Sequence, residues 1–412
     1  MTIPFERIRP TKKNQWLEIS ENDFGTLLPL VVKSKKGNSI INIYSNGLST
    51  NRDEWVYDFS NNSLQNKIKY FLEEYNNEVK RWIEYKIQNN YQDIKAESNP
   101  IVDNFLAEHN FIKWSKMIKR DKLRKEKLAN YQEEDIRPTL YRPFSKRFLY
   151  FGYIPIDMRG SFLSFYPQSN SQNKTVSISN SERTPLSLLA SDTITDLNLF
   201  MPAPVFSFAL YAYNNGERME NISDWAFNKF IKQYGKKGIS KEAIFHYVYA
   251  VLHNPAYRKK YELNLKREFP RIPFYENFKQ WSEWGEALMN LHINYETVQP
   301  FELKELSTDH KENPKAKLKA DKENGTIILD ENTILTGIPK EAWTYKLGNR
   351  SALEWVLDQH KEKKPKDPTI AEKFNTYKFA DYKPQVIDLL KRVCTVSVET
   401  MKIIEEMNLG NK

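Results

Sequence analysis

The sequence predicts a mixed α+β fold in which helical segments accompany a small mixed sheet. Apolar residues recur at helical spacing between Leu64 and Val79. Residues 239–295 show the pattern of packed helices, whereas residues 136–235 consist of short mixed segments broken by many turns, as in a small sheet. At 412 residues the chain has room for two or three domains, each with its own core.

The first part of the chain predicts strands followed by helices. Leu27–Val32 and Ile40–Tyr44 are apolar runs that predict strands, and the polar residues 33–38 between them predict a turn. From Asn61 to about Lys127 we expect mostly helix, with a break at Asn99-Pro100 before a second helix.

The later elements are predicted in the same way. Val176–Ser179 and Phe206–Tyr213 are the best candidates for strands of the small sheet. Lys311–Asn324 is rich in Lys, Glu and Asp without apolar periodicity, which predicts a mobile charged linker. A short strand is expected at Thr326–Leu329 and an amphipathic helix around Pro384–Val393.

Composition excludes several classes of protein. The single cysteine, Cys394, excludes a disulfide framework and any multi-cysteine metal site, and its apolar surroundings predict inert packing. No apolar run reaches the length of a membrane span, and Met1–Glu6 is not a signal peptide. We therefore expect a cytoplasmic protein with no membrane partner.

Positive charge is concentrated between Lys113 and Arg147. This tract has twelve basic and five acidic residues, a local net charge of +7 out of +9 for the whole chain. Such an excess attracts a polyanion, although a solvated helix face is the alternative interpretation. Aromatic residues interleave with the charges and can frame a basic surface or stack on bases, which keeps both interpretations open: Trp114, Tyr131, Tyr141, Phe144, Phe148, Tyr150 and Phe151.

Catalytic motifs are absent from the sequence. There is no glycine-rich dinucleotide loop and no P-loop, and the six histidines show no metal-ligand spacing. Glu-x-Lys triplets, among them Glu84–Lys86, Glu302–Lys304 and Glu362–Lys364, are expected by chance in a chain rich in both residues. The sequence therefore predicts no catalytic and no metal-binding residue.

Asn254-Pro255-Ala256-Tyr257 is one residue away from the Asn-Pro-Pro-Tyr tetrad with which amino-methyltransferases grip a flipped adenine. Ala256 removes the constraint of the second proline, and helical patterns flank the segment. Ser240 is predicted to cap the helix before it, Asn254 to cap the helix after it, and Pro255 to occupy that helix's first turn. The segment is therefore predicted to be scaffold.

Five segments resemble one family in order along the chain. Residues 239–273 resemble the helical block in the C-terminal specificity region of Type ISP restriction–modification enzymes. Four further segments resemble the same family: Gly47–Trp55, Tyr141–Tyr150 with its YRPF-x-x-R motif, Gly348–Trp355 and Val396–Met401.

The resemblance implies a fold of target-recognition-domain type and a division of the chain. Residues 1–90 would be the end of the adenine methyltransferase region, and 91–310 the target recognition domain with the helical block 239–295. Residues 311–324 would be the charged linker and 325–412 the closing segment. S-adenosylmethionine, ATP and Mg²⁺ would then be expected only for the full-length architecture, whose nuclease, helicase–translocase and methyltransferase motifs are absent from this sequence.

Double-stranded DNA is the partner that the resemblance implies, beside upstream domains or a separate chain that carries them. Eight basic residues are the candidates for DNA contacts, because they can bind phosphate or guanine: Arg52, Lys116, Lys119, Arg120, Arg124, Arg142, Arg147 and Arg159. Ion pairs with nearby acids are the alternative for each arginine. Two other functions stay open, namely an interaction subunit that docks on a separate methyltransferase or translocase, and an adenine-N6 methyltransferase with an unrecognised cofactor site.

Overall fold

The structure is a computed structural model that describes residues 22–33, 37–91, 99–108, 111–112, 114–181, 184–307 and 311–409. It confirms the α+β class. The helices are α1 Asp53–Val56, α2 Asn61–Gln88, α3 Asn99–Leu106, α4 Lys116–Ile118, α5 Phe162–Phe165, α6 Asp224–Tyr234, α7 Lys241–His253, α8 Pro255–Lys260, α9 Glu262–Arg267, α10 Phe278–Ile293, α11 Lys340–Thr344, α12 Ala352–His360, α13 Pro368–Lys373 and α14 Phe379–Leu409.

The strands are short and belong to several small sheets. They are β1 Leu28–Pro29, β2 Ser45–Asn46, β3 Tyr57–Asp58, β4 Ile136–Arg142, β5 Ser145–Tyr150, β6 Thr175–Ser181, β7 Thr184–Ser191, β8 Ile194–Thr195, β9 Phe206–Ala209, β10 Tyr211–Asn214, β11 Glu217–Glu220, β12 Arg271–Ile272, β13 Lys304–Ser307, β14 Ala316–Asp321, β15 Thr326–Asp330, β16 Thr333–Thr336, β17 Lys346–Leu347 and β18 Arg350–Ser351.

Three sheets have four strands, in the orders β3-β5-β4-β8, β2-β9-β6-β7 and β13-β16-β15-β14. All pairs in them are antiparallel except β4 with β8, which is parallel. Three two-stranded ladders, β1-β12, β10-β11 and β17-β18, complete the described strands. Antiparallel hairpins need only short connections, which explains why this turn-rich sequence forms them.

Helix α2 forms where the periodicity predicted it. The hydroxyl of Ser60 accepts the Ser63 amide hydrogen at 3.3 Å and caps the helix. Leu64, Ile68 and Phe71 are fully buried on one face, together with Tyr75, because their spacing keeps them on the same side.

Helices α7 and α10 form the centre of the helical block. Ser240 caps α7 as predicted, through a 3.0 Å bond from the Ala243 amide to its hydroxyl. The two helices approach closely at Gly285, where an added Cβ would lie 1.8 Å from the carbonyl oxygen of His246. Glycine is therefore required at this crossing for steric reasons.

Three hydrophobic cores hold the elements together, and each joins distant parts of the chain. The first joins Leu30 and Ile40 to α7 and α10, and the second joins α2 to β5. The third joins β15 and α12 to α14. Residues on both sides of position 90, where the resemblance places a domain boundary, share the second core. The division into domains stays a prediction.

Several element predictions need correction. The predicted linker 311–324 contains strand β14, because it pairs with the apolar strand β15. The predicted strand 40–44 makes only an isolated bridge from Ile41 to Ile222, and that at 27–32 is reduced to β1. Residues 206–213 are divided between β9 and β10, which belong to different sheets.

Two helical predictions were too coarse. The helix expected around 384–393 extends over the whole of α14, a span of 31 residues. In the region expected to be mostly helical up to Lys127, the described residues after α3 form only α4 and a π-helical turn at Lys119–Leu123. No helix in the described ranges combines the length and the apolar character needed to cross a bilayer.

Candidate nucleic-acid interface

Two buried cations hold the loop of residues 153–158 from inside the protein. One is Arg52, from the segment Gly47–Trp55, and the other is Lys122, from the basic tract. The Arg52 guanidinium donates to the carbonyl oxygen of Pro155 at 2.6 Å and pairs with Asp157 at 2.9 Å. The ammonium of Lys122 donates to the carbonyl oxygens of Ile154, at 2.7 Å, and Ile156. Both cations are buried.

Asp157 is the centre of this arrangement. Its carboxylate also accepts hydrogen bonds from Asn51 at 2.6 Å and from the Ser115 hydroxyl at 2.7 Å. Burial lowers the pKa of Arg52, which the carboxylate partly offsets, and burial lowers the pKa of Lys122 to about 7. Segment Gly47–Trp55 and the basic tract therefore meet at this loop, where their cations are internal.

The YRPF-x-x-R motif lies on the β4–β5 hairpin, with Pro143 and Phe144 as its two-residue loop. Phe144 has φ +54°, a left-handed conformation that a bulky residue rarely adopts. Its buried ring packs edge-on against Tyr295, with ring centroids 5.2 Å apart, and contacts Tyr345 and His292. The aromatic residue of this turn is thus an anchor into the third core.

Arg142, the second residue of the motif, is buried in an ion pair. Its guanidinium lies 2.7 Å from the carboxylate of Asp196, which also accepts the Tyr57 hydroxyl hydrogen at 3.0 Å. The neighbouring Tyr141 donates to Asp53 at 2.9 Å. Burial opposes the charge of Arg142, but the Asp196 carboxylate and other nearby acids outweigh it and raise the Arg142 pKa above its ordinary value.

Arg147 is held between two aromatic rings. Its guanidinium carbon lies 4.4 Å from the ring centroids of both Phe59 and Tyr141, and it donates to the side chain of Gln359 at 3.3 Å. It borders a cleft of about 720 Å³. Because both rings and Gln359 hold the guanidinium, Arg147 has a fixed position in the lining of this cleft.

Four of the five remaining predicted residues lie nearer the surface. Lys116 is exposed, and Lys119 pairs with Asp103 while its side chain keeps 27% of its exposure. Arg124 is half-buried, as is Arg159, whose guanidinium carbon lies 5.4 Å from the Tyr153 ring centroid. The side chain of Arg120 is outside the described residues.

The basic tract is therefore not one exposed patch. Its inner members Lys122, Arg137 and Arg142 are buried, and Arg147 is half-buried against aromatic rings. Lys116 and Lys119 lie nearer the surface on α4 and the π-helical turn, and Arg124, Lys125 and Lys127 do so directly after that turn. The ion pairs of Arg52 and Arg142 match the structural alternative considered for them.

Sequence reasoning missed other residues that line the cleft beside Arg147. They are the exposed Lys361, Lys363 and Lys364, and Tyr377 and Tyr382, whose ring centroids are 5.2 Å apart and lie 5.3 Å and 5.6 Å from that of Phe59. The Lys-rich run after α12 was the available signal. Its position in the same cleft as Phe59 depends on tertiary contacts that no local pattern contains.

The near-tetrad is scaffold, as predicted. Asn254 caps α8 by accepting the Tyr257 amide hydrogen at 2.7 Å, and Pro255 lies in the first turn. Tyr257 is buried and its hydroxyl donates to the Arg271 carbonyl oxygen at 2.8 Å. Within the described ranges no group of three or more His, Cys, Asp or Glu could hold a metal ion.

Three solved structures are similar to almost the whole chain. A DrdV–DNA complex has a TM-score of 0.86 and 41% identity over 98% of this chain and 40% of that chain. A nuclease-deletion mutant of the Type ISP restriction-modification enzyme LlaGI with a DNA substrate mimic has a TM-score of 0.80 and 27% identity, over 98% of this chain and 30% of that chain. The ATP-dependent Type ISP restriction-modification enzyme LlaBIII bound to DNA has a TM-score of 0.79 and 26% identity, over 97% of this chain and 25% of that chain.

This chain therefore spans less than half the length of each of these chains. Comparison with curated proteins found no match. The family model described as the Type ISP C-terminal specificity domain matches residues 39–389. Because that match covers most of the sequence, the chain belongs to the Type ISP C-terminal specificity domain family.

Proposed function

We propose that this chain is the DNA target-recognition module of a Type ISP restriction–modification system. The observation that carries the proposal is the family match over residues 39–389. The three similar structures support it, because each was solved with DNA or a DNA mimic. Recognition of one double-stranded sequence by this module would direct chemistry performed elsewhere.

Adenine-N6 methylation and restriction belong, in this proposal, to other domains or to a partner chain. S-adenosylmethionine, ATP and Mg²⁺ would be bound there and not by this chain. The scaffold role of Asn254 and Tyr257 supports this division, since neither side chain is available to hold a flipped adenine. A cytoplasmic location is part of the same proposal.

Five of the predicted residues are proposed to contact phosphates. Lys116, Lys119, Arg124 and Arg159 lie nearer the surface, and Arg120, whose side chain is outside the described residues, is included on the basis of the sequence. Arg52, Arg142 and Arg147 are proposed to act as positioning residues, because their guanidinium groups already make internal contacts. Arg52 contacts Asp157 and the Pro155 carbonyl oxygen, and Arg142 contacts Asp196. Arg147 contacts the rings of Phe59 and Tyr141 and the side chain of Gln359. Phosphate contacts set the register of a protein on a duplex, and fewer contacts to base edges read the sequence.

The test is selection of bound duplexes from a randomised pool, followed by fluorescence anisotropy of the enriched and a scrambled duplex at several salt concentrations. We expect one enriched sequence, and affinity for it about 10³-fold or more above the scrambled duplex. Binding without sequence preference would contradict target recognition. Absence of DNA binding together with co-purification of a methyltransferase or translocase would favour the interaction-subunit alternative, and calorimetric S-adenosylmethionine binding would favour the methyltransferase.

A further inference from the structure

A second basic surface lies outside the 113–147 tract, around helices α8 and α9. The stretch Pro255–Arg271 has six basic and two acidic residues. It directly follows α7 and includes Pro255 and Tyr257 of the near-tetrad. None of its charged residues has a role in the function proposed above. The basic residues that line the clefts of this surface are Arg258, Lys259, Lys266, Arg267 and Arg271, joined by Lys33 from the N-terminal segment.

Three clefts lie side by side along this surface. The central one, the Lys33 cleft, has a volume of about 520 Å³. It shares Val32 and Lys33 with a cleft of about 440 Å³, and Lys266 with a cleft of about 240 Å³. The shared residues place the three clefts in one row from Trp225 to Lys259, and this row is called the groove.

The rim of the Lys33 cleft is basic and its floor is aromatic. Lys33, Lys266, Arg267 and Arg271 line it, opposed by Glu268. Phe206 and Phe269 form the floor, with ring centroids 4.9 Å apart in an edge-to-face contact. The Lys33 ammonium lies 5.8 Å from the Phe269 ring centroid.

Some of these cations also make internal contacts. Lys266 pairs with Glu262 at 2.8 Å, and Arg271 donates to the carbonyl oxygen of Gly25 at 3.2 Å. The side chains of Lys33, Lys259 and Arg267 are exposed, and Arg267 has an interaction of its own as well. A row of cations that follows a groove matches a linear polyanion, and an aromatic floor suits the apolar face of deoxyribose between the phosphates.

We propose that this groove binds the sugar–phosphate backbone of duplex DNA, as a second contact separate from the 113–147 tract. The inference rests on the proposed function, since it assigns a further part of the surface to the same ligand. The hairpin β6–β7 lies beside the groove, because α9 packs against both strands and Pro185 and Leu186 line the third cleft. A strand held in the groove passes the end of this hairpin.

The first test compares two triple variants of the full chain. Lys33→Ala/Lys259→Ala/Arg267→Ala removes the exposed cations of the groove, and Lys279→Ala/Lys317→Ala/Lys402→Ala removes three exposed lysines that line none of these clefts. Affinity decreases with salt, and the magnitude of the slope of log affinity against log salt is smaller by about 0.9 for each phosphate that the protein no longer neutralises. We expect this magnitude to be smaller by about 2 to 3 in the groove variant and unchanged in the control. Thermal melts verify that both variants are folded.

The second test is positional. Because the only cysteine, Cys394, is buried, Lys33→Cys or Arg267→Cys can be labelled selectively with a tethered hydroxyl-radical source. Cleavage of a bound duplex at one backbone position is expected from either site and not from Lys279→Cys.

Each outcome decides between the two proposals. The groove proposal is overturned, while target recognition stands, if the wild-type chain binds the duplex but the groove variant has the same salt slope as the control. It is also overturned if the duplex is bound but the tethered radical source gives no localised cleavage. Failure of the wild-type chain to bind any duplex at low salt overturns both. If the triple variant melts below the assay temperature, the single substitutions Lys33→Ala and Arg267→Ala replace it. Each is expected to reduce the magnitude of the slope of log affinity against log salt by about 0.9.

Discussion

The guanidinium of Arg52 lies 2.9 Å from the carboxylate of Asp157, and both side chains are almost fully buried although 105 residues separate them in sequence. Removing one partner of a buried ion pair leaves the other charge uncompensated, which costs about 3 to 5 kcal/mol. We therefore expect Arg52→Met and Asp157→Asn each to lower the free energy of unfolding by about that amount in urea denaturation. The double variant should be destabilised much less than the sum of the two, and additive effects would contradict this interaction.

Arg147→Lys tests the contacts of Arg147 with two aromatic rings. Lysine keeps the charge but lacks the flat guanidinium that packs against Phe59 and Tyr141. We expect a decrease of about 1 to 2 kcal/mol in unfolding free energy, with the salt slope of DNA binding unchanged. A reduced slope in a fully folded variant would indicate a phosphate contact instead.

A triple substitution tests three of the basic-tract residues that are proposed to contact phosphates. Lys119→Ala/Arg120→Ala/Arg124→Ala should flatten the salt dependence of DNA binding by up to about 0.9 for each phosphate left without its cation. Lys279→Ala/Lys317→Ala/Lys402→Ala serves again as the control that removes the same number of positive charges. An unchanged slope in the tract variant would exclude these residues from the interface.

Gly285→Ala should separate α7 from α10. The new methyl group would meet the His246 carbonyl, and overpacking of this kind costs about 1 to 3 kcal/mol or more. Gly25→Ala is the matched control, because nothing lies within 4 Å of its added Cβ. Comparison of the two melting temperatures is the measurement, and equal values would contradict the close crossing.

Stability should fall as pH falls from about 7 to 4. Burial lowers the pKa of His292 to about 3 and that of His360 to about 4, whereas histidine in the unfolded chain titrates near 6.5. A lowered folded-state pKa means that the unfolded chain binds the proton first. The stability from each neutral histidine is therefore complete above about pH 6.5 and declines below it.

The readout is the slope of unfolding free energy against pH, to which each histidine contributes at most about 1.4 kcal/mol per pH unit. His292→Gln should reduce this slope between about pH 4 and 6, whatever its effect on stability at neutral pH. His292 contacts the hydroxyls of Tyr249, Thr400 and Tyr345, so some destabilisation at neutral pH is expected as well. An unchanged slope would contradict the assignment of the effect to this histidine.

The sequence alone determined the features that depend on neighbours along the chain. The spacing of Leu64, Ile68 and Phe71 predicted α2, because one helical face needs only local periodicity. The caps at Ser240 and Asn254 were predicted for the same reason, since a cap involves residues two or three positions apart. Segments resembling the Type ISP family indicated the membership that the match over residues 39–389 shows.

Tertiary structure decided which charges face water. Arg142 and Lys122 count as surface charge in the sequence, but Asp196 and the carbonyls of Ile154 and Ile156 hold them inside the protein, from residues 32 to 54 positions away. It also decided that β14 is a strand, because its partner β15 supplies the buried face that its own polar sequence lacks. Burial and strand pairing depend on contacts between distant residues, which neither composition nor local periodicity can specify.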